Sequence, residues 1–105
     1  MAVYKPGAIL EHSWGHEQTN IDFFVVLKRS GDWLTLQELP KLVEKIPGTF
    51  TANETPDLET PPGQKPFRRK VKINERGQEI GTQIHQSYGW ADLWNGKPSR
   101  SSSYA

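Results

Sequence analysis

Residues 21–28 constrain the fold of this chain more than any other segment. At their centre, residues 23–27 read Phe-Phe-Val-Val-Leu, an unbroken run of large apolar side chains that is typical of a β-strand. The turn-forming sequence Arg-Ser-Gly-Asp follows at 29–32, and residues 33–39 then alternate between two faces. Together these segments predict a β-hairpin, and we expect the fold around it to be mainly β.

Further strands are predicted on both sides of this hairpin. Residues 8–14 alternate before it, and residues 67–73 and 80–88 alternate after it, so each segment has one face for the core and one for solvent. The first three strands in chain order are expected to form an antiparallel meander. After the aromatic segment 89–94, the dipeptide Asn95-Gly96 is a strong hairpin signal.

The basic segment 67–73 has a clear division of faces. Phe67, Val71 and Ile73 are predicted to point inward, with Arg69 as the one charge on that side. The outward face is predicted to consist of Arg68, Lys70 and Lys72.

The middle of the chain leaves two interpretations of residues 40–46. Their apolar positions fit helical spacing and Pro40 suits a first helical turn, but Pro47-Gly48 would end that helix after about two turns, which is too short to be stable without packing. We therefore favour strand or irregular structure. Residues 47–66 contain five of the eight prolines and predict a long polar loop.

The predicted architecture is a small SH3-like barrel or roll of five to six antiparallel strands with this long Pro-rich loop. We expect a single domain over residues 1–105, in which 97–105 form a C-terminal tail or an edge strand. Hydrophobic residues make up 34% of the chain, and four Trp, four Phe and three Tyr must supply much of the core. The absence of cysteine excludes disulfides and cysteine-based zinc sites.

The chain has no signal-peptide pattern and no apolar run long enough for a membrane helix. We therefore expect a cytoplasmic protein without a membrane partner.

The loop at residues 13–20, Ser-Trp-Gly-His-Glu-Gln-Thr-Asn, is richer in functional groups than a simple connection needs. One interpretation is structural: amide and hydroxyl groups hydrogen-bond nearby backbone, while Trp14 and Gly15 anchor the loop against the core. The other is a recognition loop that contacts a partner through Trp14, His16, Gln18 and Asn20.

Catalytic and metal chemistry have little support. His12 and His16 are four residues apart, but a strand followed by a loop breaks the helical geometry that a metal pair at this spacing needs. Glu17, His16 and Asp22 supply acid–base side chains but no evident pocket. No nucleophile elbow or phosphate-binding loop occurs. We expect a protein that is not an enzyme and has no cofactor or metal, with histidines that are solvent-exposed or hydrogen-bonded.

Charge is unevenly distributed along the chain. Residues 1–60 carry five Lys or Arg against nine Asp or Glu, whereas residues 61–105 carry eight against three. The stripe formed by Arg68, Lys70 and Lys72 suits phosphate contacts. Base-stacking surfaces could come from Trp33, Tyr88, Trp90 and Trp94.

Nucleic acid is therefore one possible partner, although alternating Lys and Arg also protect exposed strands from edge-to-edge pairing. The sequence pI of about 8.0 is below the strongly basic value usual for a dedicated nucleic-acid binder.

A host protein is the partner that the sequence favours. The acidic first half, the aromatic content and the Pro-rich loop suit a small protein-binding module. The oligomeric state is not encoded in any pattern that we identify.

Three motifs in this chain resemble a family of small uncharacterised proteins from bacteriophages and mobile elements. They are Ser-Trp-Gly-x-x-Gln-Thr-Asn-x-x-Phe at 13–23, Pro-Phe-Arg-Arg-Lys-Val at 66–71, and Trp-Asn-Gly-Lys-Pro with a later Ser-Tyr-Ala at 94–105. In that family an aromatic residue often stands at the position of His16 and an Asp at that of Asn95. The resemblance implies a phage origin and a β-rich domain, and it implies no shared imidazole chemistry.

Overall fold

The computed structural model describes residues 4–15, 18–84 and 89–102. These residues form nine β-strands: β1 Ile9–Trp14, β2 Asn20–Ser30, β3 Trp33–Leu39, β4 Lys41–Lys45, β5 Thr51–Pro56, β6 Phe67–Ile73, β7 Glu79–Gln83, β8 Trp90–Leu93 and β9 Ser99–Ser102. Within the described ranges, no helix has the length and apolarity needed to cross a membrane.

Six of the strands form a closed antiparallel barrel in the order β1-β2-β3-β6-β7-β8. The meander of β1, β2 and β3 is present as predicted, and pairing of β8 with β1 closes the barrel. The prediction of a small β-barrel is confirmed.

The other three strands form a second sheet in the order β4-β5-β9. Residues 41–45 are a strand, which is the interpretation that we favoured. The long loop predicted at 47–66 is wrong in its first half, because β5 occupies residues 51–56. Its buried positions are Ala52, Glu54 and Pro56, residue types that are depleted in strands, so local sequence gave no indication of it.

The Asn95-Gly96 turn does not form the predicted hairpin. Asn95 Oδ1 accepts a hydrogen bond from the backbone N–H of Lys97 at 2.9 Å, so the turn itself is local and well satisfied. However, β8 already has β7 on one side and β1 on the other, and no edge remains for the chain that follows. That chain crosses to the second sheet, where β9 pairs with β5.

Strand β2 is buried on both faces, which explains its continuous apolar run. Phe24 and Val26 point into the barrel, while Ile21 and Phe23 form a second cluster on its outside. The main core lies inside the barrel and comprises Tyr4, Leu10, Phe24, Val26, Leu34, Leu36, Val71, Ile84 and Ala91. The second cluster consists of Ile21, Phe23 and Leu39, with Ile9, Val25 and Trp94 packed against it.

The inward orientation predicted for Ile73 is wrong. The register of β6 against β7 shifts between Lys72 and Ile73, and such a bulge re-aims the side chains beyond it. As a result Ile73 is 46% exposed, whereas Val71 is buried as predicted.

Candidate functional site

The outer surface of β3, β6, β7 and β8 carries a row of four paired residues. Trp33 lies opposite Lys70, and Gln83 lies opposite Trp90. The register of β6 against β7 places Lys70 and Gln83 side by side between them. The two indoles are therefore three strand spacings apart, on the order of 14 Å.

Cations fill the space around this row. Arg68, Lys70 and Lys72 are all exposed on the outer face of β6, and the guanidinium carbon of Arg68 lies 5.1 Å from the ring centroid of Trp33. A fourth cation, Lys28, is exposed in the neighbouring row. The outward positions of β3 and β6 contain no Asp or Glu. We call this surface the aromatic–basic face; it comprises Trp33, Arg68, Lys70, Lys72, Gln83 and Trp90, with Lys28 beside it.

Trp90 is held in place by a glycine on the adjacent strand. Gly81 has a φ of +141°, and a Cβ added there would lie 2.6 Å from the Trp90 ring. The indole therefore rests directly on the backbone of β7 while 42% of Trp90 stays exposed. Trp33 is similarly 45% exposed, so both rings present surface for stacking.

The inside of the barrel is polar at one end. Pairing of β1 with β2 places His12 opposite Asp22, and pairing of β2 with β3 places Phe24 opposite Glu38. Arg69 of β6 faces the same interior. These side chains line a cavity of about 170 Å³ bounded by His12, Asp22, Phe24, Glu38, Phe67, Arg69 and Ile84. We call His12, Asp22, Glu38 and Arg69 the polar barrel end.

Asp22 is the carboxylate of this group that has a hydrogen-bond donor and cationic groups around it. Trp14 Nε1 donates a hydrogen bond to Asp22 Oδ2 at 2.7 Å. His12 Nδ1 lies 3.9 Å from Oδ2, and Lys41 Nζ lies 3.9 Å from Oδ1. Asp22 thus holds the barrel end together.

Glu38 differs from Asp22, because no described residue gives its carboxylate a hydrogen bond or an ion pair. Burial raises the pKa of Glu38, the charge of Asp22 raises it further, and Lys41 opposes the shift. Arg69 supplies a positive charge and hydrogen-bond donors in the same cavity. Its Nε donates to the backbone carbonyl of Ile84 at 2.6 Å and its Nη1 to that of Arg68 at 2.7 Å. Neither bond uses Nη2.

The loop that follows β1 is only partly described. Trp14 does not anchor it in the core as predicted; the side chain is 48% exposed and lies over His12 with ring centroids 6.4 Å apart. Gly15 has a φ of +127°, and any side chain there would clash with the backbone of Gln18. Asn20 Nδ2 donates to the Trp14 carbonyl at 3.5 Å, which agrees with the structural interpretation. His16 and Glu17 lie outside the described residues.

The other predicted site residues are dispersed. Trp94 packs edge-on against Phe23 at 5.8 Å and donates from Nε1 to the Lys97 carbonyl at 2.7 Å, so it serves packing and is not on the aromatic–basic face. Gln18 is exposed near the start of β2. Tyr88 lies outside the described residues.

A larger cleft of about 420 Å³ separates the second sheet from the start of β2. Its charged groups include Lys41 and the buried Glu54, which form an ion pair at 2.8 Å. This carboxylate and this ammonium neutralise each other within the second sheet. Lys41 also reaches the barrel, because its Nζ donates to the backbone carbonyl of Ile21 and lies 3.9 Å from Asp22 Oδ1, so we interpret Lys41 as a structural link between the two sheets.

Sequence reasoning missed the polar barrel end. His12 is buried, with 1% of its surface accessible, so the exposed alternative of the prediction is wrong for this residue and the hydrogen-bonded alternative is not contradicted. Asp22 was considered as an acid–base group beside His16 and Glu17, yet it faces His12 across the β1–β2 pair. The alternation of 8–14 and the inward charge of Arg69 were signals for this site. Across the described ranges, no group of three or more His, Asp or Glu could hold a metal ion.

Comparison with known proteins gives no relative: no family model, no curated protein and no solved structure matches the chain.

Proposed function

We propose that the protein is a non-enzymatic binding module whose aromatic–basic face binds single-stranded nucleic acid. The observation that carries the proposal is the placement of two exposed tryptophans on either side of a row of cations, on a wall of the barrel whose outward β3 and β6 positions contain no Asp or Glu. The exposed acid beside Trp90 is Asp92 of β8. Small barrels bind oligonucleotides on such surfaces.

Charge and base stacking make separate contributions to such binding. The cations attract backbone phosphates and release counterions, while each base that stacks on an indole contributes about 1–3 kcal/mol regardless of sequence. Single strands suit this surface better than duplexes, because only an unpaired base can lay its flat face on Trp33 or Trp90.

Salt dependence tests the proposal. Binding of a fluorescent oligothymidine of about 15 nucleotides is measured by anisotropy between roughly 20 mM and 200 mM salt. Contacts from three or four cations predict a slope of log K against log salt of about −2 to −3. Quenching of tryptophan fluorescence should accompany binding, and a duplex of the same length should bind more weakly. Absence of binding at low salt, or a slope near zero, would overturn the proposal.

A host protein remains the second candidate, and the second sheet favours it. Four large apolar side chains are exposed around that sheet: Leu42, Val43, Phe50 and Leu58. Strand β4 is exposed along its whole length, and within the described part of the chain it pairs only with β5. Such an edge can accept an extended segment of another protein.

The two candidates predict different losses in the same capture experiment from bacterial lysate. If a host protein is the partner, one dominant protein should be recovered by the wild type. Changing Leu42 and Val43 to Glu should remove it, and charge reversal of the aromatic–basic face should retain it. Recovery that is unaffected by the β4 changes would count against this candidate. We also propose that the barrel is of the SH3-like type, that the protein originates from a phage and that it is located in the cytoplasm.

A further inference from the structure

We infer that the polar barrel end is a nucleobase pocket and that it prefers guanine. The inference deepens the proposed function, on which it rests for the strand that delivers the base. Its basis is that one cavity of about 170 Å³ is lined by both a hydrogen-bond acceptor and a donor group. These two groups do not bond to each other.

The acceptor is the carboxylate of Glu38. It faces the cavity from β3, it has no hydrogen bond or ion pair with any described residue, and burial weakens its hydration. A partly desolvated carboxylate without donors gains more from new N–H groups than one that is already satisfied, as Asp22 is by Trp14.

The donor is the Nη2 group of Arg69. The other two nitrogens of this guanidinium hold it against the carbonyls of Arg68 and Ile84, and its central carbon lies 4.6 Å from the Phe67 ring centroid. The group is thereby fixed, so a ligand acceptor meets a donor that has already lost its rotational freedom.

The charge of the cavity restricts the ligand. A guanidinium or ammonium ligand would satisfy Glu38 but would face Arg69, and a carboxylate ligand would face both Glu38 and Asp22. A neutral group that carries donors and acceptors side by side avoids both conflicts. The cavity is also smaller than the roughly 300 Å³ at which pockets for drug-sized molecules begin, so a single flat ring system suits it.

Guanine matches this set of groups best among the nucleobases. It presents two adjacent donors, N1–H and N2–H₂, which can satisfy both oxygens of one carboxylate. Its O6 and N7 are acceptors that arginine recognises. Adenine, cytosine and thymine can each place only one donor group on Glu38. The phenyl rings of Phe24 and Phe67 add apolar walls of the kind that bases contact.

The pocket and the aromatic–basic face belong to the same wall of the barrel. Arg68 and Lys70 point outward from β6, while Arg69 between them lines the cavity. Gln83 ends β7 on the outer face, and Ile84 directly after it lines the cavity. A nucleic-acid strand bound on the outer face would therefore lie one sheet thickness away from the pocket, at the end of β7.

The test uses the full chain and four single-stranded DNA heptamers that differ only in the central base, each flanked by three thymidines on either side. Competition anisotropy should show binding of the guanine heptamer about fivefold or more above the other three. Glu38→Gln should abolish this preference and leave the affinity for the thymine heptamer unchanged. Glu44→Gln, at an exposed position of β4, is the matched control and should retain the preference.

Separate outcomes distinguish the pocket from the proposed function. Equal affinity for all four heptamers, or a guanine preference that survives Glu38→Gln, overturns the pocket and leaves the aromatic–basic face standing. If no heptamer binds, the proposed function fails and guanosine alone decides the pocket. Guanosine should then shift the amide resonances of Phe67, Arg69 and Ile84 in the wild type more than uridine does. Unshifted resonances overturn the inference. Because this titration uses the wild type, its result does not depend on whether the Glu38→Gln variant folds.

Discussion

The aromatic–basic face and the polar barrel end meet on β6, whose alternate residues place Arg68 and Lys70 outside the barrel and Arg69 inside it, and the charges of the two regions behave differently. On the outer face of β6, Arg68 and Lys70 are exposed, so their charges are solvated and act mainly on other charged molecules. Inside the barrel, burial raises the pKa of Glu38 on β3, and Asp22 on β2 is surrounded by Trp14, His12 and Lys41. The outer charges are suited to attracting backbone phosphates, and the inner ones are suited to selecting a nucleobase.

Among changes outside β6, the largest effect should come from removing both outer indoles. Changing Trp33 and Trp90 to Ala together removes two stacking surfaces, each of which contributes about 1–3 kcal/mol. We expect oligothymidine affinity to fall about 30-fold or more, as measured by anisotropy. Phe50→Ala, which removes an aromatic side chain that is 62% exposed beside the second sheet, is the control. A similar loss in this control would show that exposed aromatics act without regard to their position.

The next largest effect should come from Gly81→Ala. The new methyl group would lie 2.5 Å from the Ala91 carbonyl oxygen and 2.6 Å from the Trp90 ring, at a backbone φ that suits glycine alone. We therefore expect a loss of about 2 kcal/mol in the free energy of unfolding. Weaker oligothymidine binding should accompany it. Gly77→Ala provides the comparison, because Gly77 also has a positive φ of +78° but open space around it. Equal effects of the two changes would mean that backbone strain alone, and not the clash with Trp90 and Ala91 of β8, explains the result.

A smaller effect is expected at the barrel end from Trp14→Phe. The change removes the hydrogen bond to Asp22, and it should lower the free energy of unfolding by about 1 kcal/mol. Oligothymidine affinity should be unchanged, since Trp14 is not part of the aromatic–basic face. The free energy of unfolding is measured by chemical denaturation, and affinity is compared under conditions in which both proteins are folded. A clear loss of oligothymidine affinity there would place Trp14 in the outer site.

The smallest effect concerns pH. Because the pKa of Glu38 is raised in the folded protein, the unfolded chain loses this proton first as pH rises. Glu38 therefore lowers stability as pH increases through the range between its unfolded and folded pKa. Glu38→Gln should make the protein relatively more stable at pH 7 than at pH 4, compared with the wild type. Thermal unfolding at both pH values checks the sign, and the opposite change would contradict the burial of this carboxylate.

The barrel and the outer face were predictable because both are local patterns. The alternation of β6 indicates which side faces solvent, and the apolar run of β2 indicates a buried strand. Neither pattern requires knowledge of distant residues. For the polar barrel end, local patterns indicated only that residues such as His12 and Arg69 point inward. Their meeting with Asp22 and Glu38 was not predictable, since the four residues come together only when four strands close into a barrel. The second sheet was missed for a related reason. Its central strand β5 is stabilised by neighbours on both sides, and its own sequence is a poor strand former.

The central claim is that position, and not net charge, makes β6 the binding surface. Changing Arg68, Lys70 and Lys72 together to Glu is compared with the same change at three exposed lysines elsewhere, Lys5, Lys45 and Lys97. Both variants change the net charge equally, and circular dichroism checks that both fold. We predict that oligothymidine affinity at low salt falls more than about 100-fold in the β6 variant and only a few-fold in the other. Equal losses in the two variants, or no loss in the β6 variant, would contradict the account.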